Sequence, residues 1–172
     1  MTQYARPDSD VDNQDDAWTN SDGGAPSNTL YTYIDEASGG SDYVEATDDN
    51  CDGAGVYFTV GLSNVTDPES ASSHVIKAYI RIDPGTDMSN AFMRGELLEG
   101  STVRATSGDW ETDDTGALLT YTLSTAEANS ISNYNNLRLR ITFFDDECYG
   151  STGYVDRAWF ECPDAAAPAA AA

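Results

Sequence analysis

The side chains of this chain that could do chemistry are almost all carboxylates. Acidic residues number 30, against 8 basic residues and one histidine, for a formal net charge of −22. Asp8, Asp10 and Asp12 lie in Asp8-Ser9-Asp10-Val11-Asp12-Asn13, which has the opening spacing of a calcium loop. Asp48 and Asp52 flank Asn50-Cys51 in a second oxygen-rich run. Hard cations such as Ca²⁺ take oxygen ligands of this kind. The first run lacks the loop's sixth-position glycine and distal glutamate, and so many acids produce clusters by chance. Solvated loop charge is the competing reading, and no cofactor beyond Ca²⁺ enters the account. Paired carboxylates also serve glycoside hydrolysis. Glu96 and Glu111 are such a pair, but nothing in their placement singles them out.

Other catalytic chemistry is thinner still. His74 is the one histidine, so a multi-histidine metal site within one chain is excluded. It follows Ser72-Ser73 and precedes a strand-like run, the setting of a structural ring rather than a nucleophile's base. No Gly-Lys-Ser/Thr phosphate loop occurs. Trp110 and Tyr149 could stack on a sugar ring, whereas Trp159 reads as core. Asn64-Val65-Thr66 matches a glycosylation sequon. The expectation is a protein without catalytic activity.

Charge narrows the partners. A surface at −22 repels phosphate, so nucleic acid and anionic membranes are not expected partners. No apolar run approaches the roughly 18 residues of a membrane span. The first residues, Met1 to Pro7, carry no apolar stretch of the secretory type, and no leader is expected. Asp far outnumbers Glu and Lys77 is the one lysine. That balance suits a saline setting, or a chain kept soluble by like-charge repulsion.

The elements that would position these residues are strands. Hydrophobic residues make up 40 % of 172, enough for one real core. Val56–Leu62 places Val56, Phe58, Val60 and Leu62 on one face. Val75–Ile82 points Ile76, Ala78, Ile80 and Ile82 one way and Lys77, Tyr79 and Arg81 the other. Ala91–Leu98, Thr102–Ala105, Leu118–Leu123, Leu137–Phe143 and Tyr154–Phe160 complete the series. Asp83-Pro84-Gly85, Glu99-Gly100-Ser101 and Ser107-Gly108-Asp109 are turn signals. Ser124-Thr125-Ala126-Glu127 fits a capping box opening a short helix over Thr125–Ile131. About eight strands without βαβ alternation point to an all-β antiparallel sandwich or jelly roll.

The ends read differently. Residues 1–29 are poor in aliphatics and read as an extended acidic arm, 30–163 as the sandwich, and 164–172 as an Ala/Pro tail. The arm reaches up to about 100 Å if extended, with Tyr4, Arg6, Pro7 and Trp18 as candidate interface residues. On this reading, removing Met1–Ala17 leaves the sandwich folded. Arg138 and Arg140 alternate with leucines and read as ion-pair hubs within a sheet or at a subunit contact.

Cys51, Cys148 and Cys162 make an odd count. Cys148 and Cys162 bracket the last strand at roughly 25 Å, too far to bond. Cys51 and Cys148 share one end of a sandwich if their strands run antiparallel. A Cys51–Cys148 disulfide with Cys162 free is one reading; three reduced thiols is the other.

An ordered set of pieces runs through the chain: Arg6-Pro7-Asp8, Trp18, Leu30-Tyr31, Ile34-Asp35-Glu36, Asp42-Tyr43-Val44, Leu62-Ser63, Asp67-Pro68 and His74. It continues with Tyr121-Thr122-Leu123-Ser124, Ala126-Glu127-Ala128, Ile131, Tyr134, Leu137-Arg138-Leu139-Arg140 and Trp159-Phe160-Glu161-Cys162-Pro163. This set resembles small β-sandwich virion proteins of tailed bacteriophages, from Arg6 to Pro163. The resemblance implies a capsid decoration (cement) protein on the outer surface of the head. It would bind the major capsid protein as a trimer, with the arm crossing a joint of the shell. A tail, fibre or host-glycan-binding component is an alternative, as is an extracellular carbohydrate-binding or filament subunit. The acidity, the three cysteines and the alanine-rich tail depart from the usual pattern.

Overall fold

The computed structural model describes residues 1–22, 29–37, 41–48, 53–83, 91–145 and 150–165. Cys51, Cys148, Asp52, Tyr149 and most of the Ala/Pro tail lie outside them, so the disulfide expectation falls there too.

The strands are β1 (Thr2–Ala5), β2 (Pro7–Asn13), β3 (Thr19–Asn20), β4 (Val44–Thr47), β5 (Val56–Leu62) and β6 (Val75–Asp83). They continue with β7 (Ala91–Glu99), β8 (Thr102–Thr106), β9 (Ala117–Thr122), β10 (Leu137–Asp145) and β11 (Thr152–Pro163). One sheet runs β3-β4-β11-β6-β9, with β1 also on β11, and the other runs β2-β5-β10-β7-β8. Every pairing among the described residues is antiparallel. The expected all-β sandwich is the fold.

Period-two patterning explains the core. β6 alternates buried Ile76, Ala78, Ile80 and Ile82 with half-buried Val75, Lys77, Tyr79 and Arg81. β10 does the same with Leu137, Leu139, Ile141 and Phe143 inward. Their inner faces meet Phe58, Met93, Leu97 and Phe160, all fully buried. The short helix α1 (Thr125–Asn129) opens on the expected capping box. Ser124 Oγ accepts from the Glu127 amide at 3.3 Å, and the Ser124 amide donates to Glu127 Oε2 at 2.7 Å.

The N-terminal segment departs from expectation. It is extended, but it is not an arm. β1 pairs with β11, β2 with β5 and β3 with β4, so residues 2–20 supply strands to both sheets. Trp18 is fully buried and packs edge-on against Phe58, centroids 4.8 Å apart. Its indole N–H donates to the Val56 carbonyl at 3.3 Å. Pro7 is buried as well. Trp18 and Pro7 therefore belong to the interior rather than to an interface. An edge strand can be this polar because only one of its sides must match the sheet.

A second departure lies in β11. Its register against β6 shifts between Val155 and Arg157. The extra residue of a bulge exchanges the faces beyond it. Ala158, Phe160 and Cys162 turn inward, and Trp159, buried as expected, stands on the opposite face of the strand. Buried Cys162 is a free thiol whose pKa is pushed up to about 11, by burial first and by the charges of Asp164 and Asp67 next.

Candidate functional site

The outer face of the six-stranded sheet collects aromatic and cationic side chains from strands far apart in sequence. Tyr154 lies beside Arg81 and Glu45, Arg157 beside Tyr79, Trp159 beside Lys77, and Tyr4 beside Glu161. Arg81 sits between two rings, 5.0 Å from the Tyr43 centroid and 4.4 Å from that of Tyr154. Arg157 lies 5.5 Å from Tyr79 and 5.7 Å from Trp159, and Lys77 is 5.9 Å from Trp159. The result is a ladder of alternating rings and cations, held by ring-quadrupole attraction. From Tyr154 to Trp159 it runs about 17 Å along β11.

Two carboxylates fix the cations. Asp156 accepts from Arg81 Nη2 at 3.1 Å and from its Nε at 3.3 Å. Burial opposes the Arg81 charge, but the Asp156 hydrogen bonds and charge hold its pKa above the ordinary value. Glu161 Oε1 accepts a hydrogen bond from Lys77 Nζ at 2.9 Å and another from the Trp159 indole N–H at 2.7 Å. Arg157 differs. It makes no ion pair among the described residues, and its buried Nε has no hydrogen-bond partner there. Nearby Glu36 has its carboxyl pushed up by burial, with Arg157 pulling back. Tyr4 is 51 % exposed, so the far end of the ladder is open. At the other end Tyr154 and Glu45 lead into a cleft of about 550 Å³, walled also by Asp15, Thr19, Thr47 and Thr152.

The residues singled out in the sequence fall elsewhere or take other roles. Asp10 accepts from the amides of Leu30 and Tyr31 at 2.7 and 2.8 Å. Asp12 accepts from the Tyr57 hydroxyl at 3.0 Å, Asp8 from Ser9 Oγ at 2.9 Å, and Asp48 from the Asp145 amide at 3.5 Å. No metal-holding group of three or more His, Cys, Asp or Glu exists among the described residues. The Asp8-to-Asp12 run lies along a strand, where alternation and two bulges send the carboxylates to separate partners. Arg140 makes one ion pair among the described residues, with Glu96 at 3.5 Å, and lies 4.4 Å from the Tyr57 ring. Arg138 makes no ion pair among the described residues. Arg6 donates to the Glu36 carbonyl at 2.8 Å and sits by Tyr4, inside the fold's own contacts. Trp110 is buried, its ring over Gly95, and cannot stack on a sugar. Exposed Asn64 borders a cleft of about 390 Å³ beside Asn133 and Asn135.

His74 is structural. It is fully buried, with Nδ1 donating to the Ser72 carbonyl at 3.0 Å and Nε2 accepting from the Tyr134 hydroxyl at 2.7 Å, the tautomer this network requires. Burial lowers its pKa below 6.5. As pH falls below that value the unfolded chain takes up a proton that the folded chain refuses, so stability falls with pH there. Tyr134, pushed up by burial to about 12, gives the mirror effect as pH rises beyond 10. The melting temperature should drop between about pH 7 and pH 5. His74→Gln should flatten that limb; an equally steep limb in the variant would assign it to other groups.

Lys77, Tyr79 and Arg81 were legible as one outward face of a strand. Tyr43, Tyr154, Arg157 and Trp159 join them only through long-range pairing, and sequence reasoning missed them.

No protein-family model matches the chain, and no curated protein matches it. Among solved structures it is similar to a xylan-binding module, CBM15, with 13 % identity, a TM-score of 0.50, and coverage of 96 % of this chain and 99 % of that one. It is also similar to the Stig cyclase Fisc from Fischerella sp. TAU, with 14 % identity, a TM-score of 0.50, and coverage of 95 % and 100 %. At such identities the likeness is one of fold. The chain is a β-sandwich of the kind found in both a polysaccharide-binding module and a cyclase.

Proposed function

We propose that this protein binds a neutral glycan along the outer face of its six-stranded sheet. The observation that carries this reading is the ladder itself. Half-exposed Tyr43, Tyr79 and Tyr154, with exposed Tyr4, lie along one open face beside Arg157, which makes no ion pair among the described residues. Aromatic rings bury the apolar faces of sugars, while planar donors and carboxylates take their hydroxyls. The face is long and open, which suits a chain of sugars more than a single ring. A protein at −22, with Glu45, Asp156 and Glu161 on this face, disfavours acidic glycans. The fold likeness to a xylan-binding module fits the reading without naming a ligand.

The resemblance to tailed-phage virion proteins supports a setting on a particle, where a glycan-binding face suits a host-attachment component. Capsid decoration has only that resemblance behind it.

Affinity electrophoresis against neutral xylan, glucan and mannan, with an acidic polysaccharide as control, tests the proposal. Retardation by at least one neutral polymer is expected. Tyr154→Ala should weaken it by about 2 kcal/mol, roughly thirtyfold, in a variant that still unfolds cooperatively. No retardation by any neutral glycan, or none lost in Tyr154→Ala and Tyr79→Ala, would overturn it.

A further inference from the structure

We propose that Arg157 and Glu36 are the specificity-determining pair of the glycan face, taking two adjacent hydroxyls of one sugar. The face then selects neutral glycans whose vicinal diol is unsubstituted at that position. This selectivity rests on the glycan reading and names the feature that is recognised.

The chain holds 30 acids against 8 basic residues, so carboxylates are in excess around every cation. Arg81, Arg94, Arg104 and Arg140 each hold one: Asp156, Asp109, Glu99 and Glu96 in turn. Arg157 holds none, and its guanidinium makes no hydrogen bond among the described residues, its Nε being buried. A carboxylate is nearby, since the Arg157 charge lowers the pKa of Glu36. Yet the two form no ion pair, and Glu36 Oε2 is itself buried without a hydrogen-bond partner. Two groups of opposite charge thus stand within each other's field and out of contact. Burying such groups unpaired costs stability. Sites that break this rule are commonly functional ones.

The backbone fixes both groups. The Ala158 amide donates to the Ile34 carbonyl at 3.1 Å. Arg6 Nη1 donates to the Glu36 carbonyl at 2.8 Å, not to its carboxylate. These bonds tie residues 34–36 to β11 and to Arg6. The bulge between Val155 and Arg157 sets Arg157 opposite Tyr79, and bulges re-aim side chains in this way. The guanidinium lies 5.5 Å from the Tyr79 centroid and 5.7 Å from that of Trp159, so rings rather than an acid hold it.

The ligand follows from donor and acceptor roles. A guanidinium only donates and a carboxylate only accepts. A hydroxyl does both, so two neighbouring sugar hydroxyls satisfy the pair. One accepts from Arg157, and the other donates to Glu36. An acidic sugar would meet Glu36 together with the charges of Asp35 and Asp42, and a cationic sugar would meet Arg157. A neutral diol suits both groups. Burial is the main cause that raises the Glu36 pKa, so the ionised carboxylate is held at a cost in the free protein.

Affinity electrophoresis of the full chain against xylan, glucan and mannan, each unsubstituted and O-acetylated, tests this alongside urea unfolding. Acetylation should weaken binding of the retarding polymer at least about tenfold. Glu36→Gln and Arg157→Gln should each do the same on the unsubstituted polymer. Each should also shrink the penalty for acetylation, because both changes remove one contact. Glu36→Gln should hold or raise the urea midpoint, whereas breaking a structural ion pair would lower it. Binding that needs Tyr154 but survives acetylation and either variant would mean that water alone fills the gap. The diol proposal would then fall and the glycan reading stand. A lowered midpoint in Glu36→Gln with binding kept would overturn it too. Wild-type protein that no neutral polymer retards would take both readings down.

Discussion

Removing residues 1–20 should leave no folded sandwich. The loss takes β1, β2 and β3, and it bares the backbone edge of β5 along Phe58–Leu62. It also removes Trp18, which is fully buried. That ring is tied at both backbone ends, its amide accepting nothing but donating to Asn13 Oδ1 at 3.1 Å and its carbonyl accepting from Asn13 Nδ2 at 2.9 Å. Trp18→Ala alone should cost about 3–5 kcal/mol, a large part of the roughly 5–15 kcal/mol of a typical domain. Urea unfolding of the variant checks the point change, and circular dichroism checks the truncation. A truncated chain with a cooperative melt would restore the arm reading and remove the N-terminal strands from the account.

Trp110→Ala should be nearly as damaging, and for a reason unrelated to ligands. Trp110 forms an isolated bridge to Met93, with reciprocal backbone bonds of 2.8 and 2.9 Å. Its ring lies where Gly95 leaves room: a Cβ on Gly95 would come 2.5 Å from ring atom Cη2. Losing the ring should cost about 3–5 kcal/mol. Gly95→Ala should cost about 1–3 kcal/mol through overpacking, and less in a Trp110→Ala background, because the two sites share one space. Denaturant midpoints of the two single variants and the double variant measure that coupling. Additive losses would mean that the ring does not occupy the glycine's space.

Much of the fold was legible because burial on one face imposes period two. Val56–Leu62 and the outward trio Lys77, Tyr79 and Arg81 stand where alternation put them. The capping box was equally local and equally legible. What failed was non-local. β2 shows no alternation because two bulges interrupt it and only its β5 side is paired. Trp159 is buried as expected, but on the outer face of β11, and nothing near it signals the bulge that exchanges the faces there. Trp110 read as a free aromatic because Gly95, which makes its pocket, lies fifteen residues away across a strand pair. The same limit hid the ladder. Each ring reads as an ordinary strand residue until β11 is laid between β4 and β6.

The central claim is that the outer face of the six-stranded sheet holds a neutral glycan. Amide chemical-shift mapping of the ¹⁵N-labelled protein, titrated with the oligosaccharides of whichever neutral polymer retards it, tests this most directly. Saturable shifts clustered at Tyr43, Tyr79, Arg81, Tyr154, Arg157 and Trp159 are expected. Shifts confined to β5, β7 and β10, or to the cleft beside Asn64, would contradict it.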